Sequence, residues 1–124
     1  MAASTNPHTR NYKALSQSIA GGATVNTKVT VAECDTIRVM WIILDAAAVG
    51  DLTDTEVRGY DLEQVVCNPA MTPVTAMAKT LTGARLEKTE VHDVRGLDAV
   101  QIRMKNGAVG AKICELHVFR DRNS

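Results

Sequence analysis

Apolar and polar residues alternate with a period of two along several short stretches, and that period predicts strands. Val25, Thr27, Val29 and Val31 fall on one face, with Asn26, Lys28 and Thr30 on the other. Residues 36–44 carry the strongest strand signal. There Ile37, Val39, Trp41 and Ile43 share one face, while Met40, Ile42 and Leu44 make the second face apolar as well. Val100, Ile102 and Met104 alternate with Gln101, Arg103 and Lys105, and Cys114, Leu116 and Val118 repeat the pattern. Residues 15–19 predict an edge strand broken by Gly21-Gly22, and residues 62–67 and 85–94 predict two more strands. Asn106-Gly107 opens a hairpin connection that runs through Gly110. Residues 45–61 read as a long polar connection, and Asn68-Pro69 and Pro73 as turns. Residues 75–79 read as a short helix or a strand, since Val74, Met77 and Leu81 sit near helical spacing.

Many short strands separated by Gly and Asn turns, with no intervening helices, predict an all-β fold: an antiparallel β-sandwich, jelly-roll-like. Residues 1–13 are polar and small, contain Pro7, and read as a flexible N-terminal arm, free or ordered on a neighbouring subunit. Residues 14–120 form the sandwich domain and residues 121–124 a polar tail. A strand apolar on both faces is either covered on both sides or part of a subunit contact. Met40, Ile42 and Leu44 are therefore candidate interface residues, together with Asn11 and Tyr12 of the arm.

A weak internal repeat runs through the same elements. Val31-Ala32-Glu33-Cys34-Asp35-Thr36-Ile37-Arg38-Val39 matches Val94-Arg95-Gly96-Leu97-Asp98-Ala99-Val100-Gln101-Ile102: an apolar residue, a turn ending in Asp, then an alternating strand. Upstream, Thr27-Lys28-Val29 matches Thr89-Glu90-Val91, and Ile19-Ala20-Gly21 matches Leu81-Thr82-Gly83. The repeat points to a two-part sandwich. Asp35 and Asp98 are expected to bond their own backbone and fix the turns.

Length and charge narrow the classes. The 124 residues suit one domain with a core that needs no staple. Fourteen basic side chains balance fourteen acidic ones, which argues against a nucleic-acid or membrane-surface binder. No apolar run is long enough to cross a bilayer, and residues 1–13 lack the apolar stretch of a secretory signal. Three cysteines, Cys34, Cys67 and Cys114, read as buried reduced thiols of a cytosolically made protein. Aromatic residues make up 3% of the chain, which weakens a carbohydrate-binding reading based on Trp41, Tyr12, Tyr60 or Phe119.

Chemical motifs are sparse. Cys114 and His117 have a C-x-x-H spacing, but on a strand they point to opposite faces, so no metal is assigned. Asp51, Asp54, Glu56, Asp61 and Glu63 crowd one connection with Arg58 among them and fit no EF-hand spacing; they read first as a solvated acidic loop, with a calcium site as the alternative. No G-x-S-x-G, phosphate loop or G-x-G-x-x-G is present, so neither a catalytic residue nor a cofactor is expected.

At its turn–strand units the chain resembles small β-sandwich proteins of tailed-bacteriophage virions. The residues that carry this are 19–25, Val29-Thr30-Val31, Asp35-Thr36-Ile37-Arg38-Val39, the stretch 94–103, and Cys114-Glu115-Leu116-His117-Val118. The resemblance covers residues 15–119, with the middle third matching poorly. It implies a non-enzymatic virion structural protein, first of all a capsid decoration (cement) protein. Such a protein would form a homotrimer on the capsid surface and bind the major capsid protein. The alternatives are a carbohydrate-binding or host-recognition module and a tail-associated virion protein.

Overall fold

The computed structural model describes the backbone of residues 10–121 and the side chains of residues 13–121. Ten strands follow in chain order: β1 (Arg10–Ile19), β2 (Thr24–Thr30), β3 (Thr36–Ile43), β4 (Glu56–Tyr60), β5 (Val66–Asn68), β6 (Thr75–Ala76), β7 (Thr80–Thr82), β8 (Arg85–Asp93), β9 (Ala99–Lys105) and β10 (Lys112–Asp121). They build two antiparallel sheets. Sheet A runs β1-β10-β3-β8-β6, with β7 also on β8, and sheet B runs β2-β9-β4-β5.

The pairing is nested: β1 lies on β10, β2 on β9, β3 on β8 and β4 on β5. This is one long hairpin, folded near its middle and rolled so that successive pairs fall in alternate sheets, which is the jelly-roll arrangement. The sandwich expected from the strand pattern is the fold observed.

The internal repeat has a structural counterpart. Residues 31–34 and 94–97 each close a turn, with Cys34 N–H donating to Val31 O and Leu97 N–H to Val94 O, both at 3.0 Å. Glu33 (φ 66°) and Gly96 (φ 85°) occupy the third position, where a type II turn needs positive φ. Each turn carries the chain from one sheet to the other, and the two turns are stitched together. Val31 N–H donates to Asp98 O, and Val94 N–H donates to Asp35 O, both at 2.9 Å. Both aspartates bind the opposite turn through their main-chain carbonyls, and the Asp98 carboxylate accepts from Gln64 Nε2 at 2.8 Å.

The core follows the period-two pattern. Ile37, Val39, Trp41 and Ile43 of β3 face Val100, Ile102 and Met104 of β9 across the gap between the sheets, and all are buried. Trp41 bridges the sheets, its Nε1–H donating to Arg103 O at 2.8 Å. At one end the fully buried Asn106 ties three segments together. Its Nδ2 donates to Ile19 O (2.8 Å) and Gly110 O (3.1 Å), and its Oδ1 accepts from Ala108 N (2.9 Å).

Three boundaries depart from the sequence expectation. β1 begins at Arg10, so Arg10 to Lys13 pair with Arg120 to His117 and belong to the sheet, not to an arm; residues 1–9 lie outside the described residues. The connection 45–61 contains β4, which is cryptic because its inward positions are Val57 and Gly59 while Glu56, Arg58 and Tyr60 face out. The strand expected at residues 62–67 is the shorter β5, Val66–Asn68; at residues 75–79, where the sequence admits helix or strand, the strand forms, with β6 extended along β8 and Met77 N–H donating to Thr89 O at 2.9 Å.

Candidate functional site

The outer faces of the two sheets differ in chemistry. Sheet B presents Asn26 and Lys28 on β2, Gln101 and Arg103 on β9, and Glu56 and Arg58 on β4. These pair among themselves: Glu56 with Arg58, Arg103 with Asp54 and Glu56, and Tyr60 Oη–H with Gln101 Oε1 at 2.6 Å. Lys28 Nζ stands 4.2 Å from the Tyr60 ring centroid, so one face of that ring is covered. Two further acids of the connection are engaged as well: Asp51 accepts from the Ala47 and Ala48 amides, and Asp61 from those of Glu63 and Val65.

The outer face of sheet A is mixed, with the pairs Arg85–Glu87 and Glu115–His117 on it, but it also carries an apolar patch. Register puts Arg38 and Met40 of β3 beside Val91 and Thr89 of β8, and places Thr75 of β6 beside Val91. Together with Met77 and Glu87 they line an open groove of about 400 Å³. A second hollow of about 260 Å³ continues it past Arg38 and Val91 to Phe119 and Asp121. Arg38 separates the two, its guanidinium 4.5 Å from the Phe119 ring centroid. Glu87 is neutralised by Arg85. Arg38 has no ion pair among the described residues. A cation held flat against an aromatic ring between two apolar hollows has the composition of a protein-contact hot spot.

The candidate interface residues fare unequally. Met40 lies in the groove floor, half-buried. Ile42 points to the same outer face but is fully buried, flanked by Glu87 and Glu115 in register, so the chain itself covers it. Leu44 is half-buried at the sheet end, its N–H donating to Ile113 O at 2.9 Å. Asn11 and Tyr12 pair through their backbones with Phe119 and Val118 in β1; their side chains lie outside the described residues. Trp41 is buried in the core and offers no stacking surface. Of the three thiols expected to be buried only Cys114 is, facing the core where burial pushes its pKa up to about 11, whereas Cys34 is half-buried and Cys67 exposed; His117 faces outward against Glu115 at 3.0 Å.

One buried array escaped the sequence reading. β8 turns Leu86, Lys88, Glu90 and His92 inward and leaves Val91 outward. Glu90 joins His92 Nε2 (2.8 Å) to Lys88 Nζ (3.0 Å), and Lys88 also donates to Thr55 Oγ1 at 2.6 Å. His92 is fully buried, and its Nδ1 has no hydrogen-bond partner. Burial opposes charge on Glu90, but the hydrogen bonds from His92 and Lys88 outweigh it and hold the carboxyl below its ordinary 4.5. The signal in the sequence was the spacing Lys88-x-Glu90-x-His92, masked by apolar Val91 between two of them.

No protein-family model matches the chain, and no curated protein matches it. Among solved structures it is similar to the SPBc2 prophage-derived protein YomS, with a TM-score of 0.53 and 12% identity over 90% of this chain and 92% of that one. It is also similar to the enzymatically active domain of bacteriophage CBA120 tailspike protein 4, with a TM-score of 0.52 and 11% identity. That match covers 88% of this chain and 17% of the other. At such identities the likeness establishes a shared fold.

Proposed function

We propose that the chain is a non-enzymatic structural protein of a phage particle. Within that class we propose a capsid decoration protein that sits on the capsid surface as a homotrimer and binds the major capsid protein. The observation that carries the reading is the contrast between the two outer faces. Sheet B is a self-paired polar surface suited to solvent, whereas sheet A opens an apolar groove with an unpaired cation. The jelly-roll likeness to a prophage-derived protein along almost the full length of both chains supports it, as does the second likeness to part of a phage tailspike. A rigid sandwich with one contact face is what a lattice-stabilising protein requires, and no step of that role needs a catalytic group.

Cosedimentation with particles of the encoding virus tests the reading. Wild-type protein should pellet with particles, Met77→Glu in the groove should abolish pelleting, and Lys28→Glu on sheet B should leave it intact. Failure of the wild type to pellet, or equal loss in both variants, contradicts it.

A further inference from the structure

We infer that copies of this chain join head to tail, the β4–β5 hairpin tip of one copy seating in the sheet A groove of the next. The inference rests on the homo-oligomeric part of the reading above and names the contact: the groove serves assembly of the ring, and a groove variant loses particle binding by breaking that ring. A cyclic trimer has heterologous interfaces, so two different patches of one surface must be complementary. The molecule displays such a pair.

The first patch is the groove: an apolar floor of Met40 and Val91, a wall of Met77 that is 60% exposed, and Arg38 braced on Phe119. The second is the hairpin tip, where Leu62 is 81% exposed and Val65 57% exposed. Asp61 shapes this tip by accepting the Glu63 and Val65 amides at 3.0 and 2.9 Å, which pushes Leu62 outward as a knob. Glu63 stands beside the knob with no side-chain partner among the described residues. Apolar knob meets apolar groove, and the unpaired Glu63 carboxylate meets the unpaired Arg38 guanidinium.

Charge complementarity selects this occupant. Asp121 lines the far hollow but makes no ion pair with Arg38, and Glu87 is held by Arg85, so Arg38 is the groove's uncompensated charge. Tip and groove lie on different parts of the sandwich, the tip at the end of sheet B and the groove on the outer face of sheet A. One copy therefore has both patches free for two neighbours, as a ring demands.

The test is the solution mass of four proteins by light scattering: wild type, Arg38→Glu, Glu63→Arg, and the double exchange. Both positions are exposed, and circular dichroism verifies that each variant is folded. The wild type should have a multiple of the 13.4 kDa chain mass, each single exchange should fall to 13.4 kDa, and the double exchange should regain the assembly. Leu62→Ser, which removes the knob without touching charge, should also yield the monomer. Assemblies that persist in both single variants overturn the contact while leaving oligomerisation through another surface. A wild type that stays at 13.4 kDa overturns it too, and cosedimentation of that monomer with particles would still uphold the particle role.

Discussion

Asn106 shows how one side chain closes a sheet end. It is buried with every polar atom engaged, bonding the end of β1, the 108–110 loop and, through its backbone, Gly22 and Ala23. Asn106→Ala strands two carbonyls and one amide, and should cost about 3 kcal/mol in urea unfolding; a change within error of zero would contradict this account. Glu90 sets a pH dependence. Its pKa is lowered in the folded chain, so the unfolded chain binds more protons as pH falls through the ordinary value of 4.5. The stability it contributes is complete above that value and is lost as pH falls towards the folded one. Glu90→Gln should therefore be less stable than wild type near neutrality, by about 1–3 kcal/mol. The gap should narrow in acid, and urea midpoints at the two pH values give the comparison. The individual roles of Asn106 and Glu90 were hidden in the sequence. Asn106 read as a turn residue because its partner Ile19 comes from a distant segment, and Glu90 drew no chemical reading because its neighbours Lys88 and His92 matter only once β8 turns all three inward.

At the scale of elements, the paired turns between β2 and β3 and between β8 and β9 explain why the repeat is visible at all. Both must reverse the chain between sheets with a positive φ at the third position, which Gly96 meets freely and Glu33 meets at a cost. A Cβ at Gly96 would meet no atom, so Gly96→Ala tests backbone strain alone. It should destabilise by about 1 kcal/mol in thermal or denaturant unfolding. An unchanged midpoint would show that the turn does not need glycine. Strands with a clean period were legible: β2, β3, β9 and β10 each bury the face their alternation marks. β4 was not, because glycine stands at an inward position, and β6 was not, because two residues cannot display a period. The first turn of β1 was unreadable for a different reason. Arg10 to Lys13 are polar, and they are strand residues because β10 extends far enough to pair with them.

For the whole molecule, the strand at residues 36–44 is apolar on both faces in the sequence, and of its candidate interface residues only Met40 lines the groove on the outer face of sheet A. Its second apolar face divides: Ile42 is sealed between acidic neighbours, and Met40 opens into the groove. Arg38 of the same strand, Val91 of β8, Phe119 of β10 and Met77 of the loop after β6 line the groove and the hollow beside it, a convergence that only the nested pairing creates. The fold thus places a self-paired polar face and a face with an apolar groove on opposite sides of a sandwich. The proposal requires that a virus or prophage genome encode the chain, and the most direct test of the central claim is the protein composition of particles purified from that source, quantified by mass spectrometry. A structural role predicts that the chain remains with the particles through purification in many copies, in fixed ratio to the major capsid protein. Absence of the chain from particles that are otherwise complete would contradict the account.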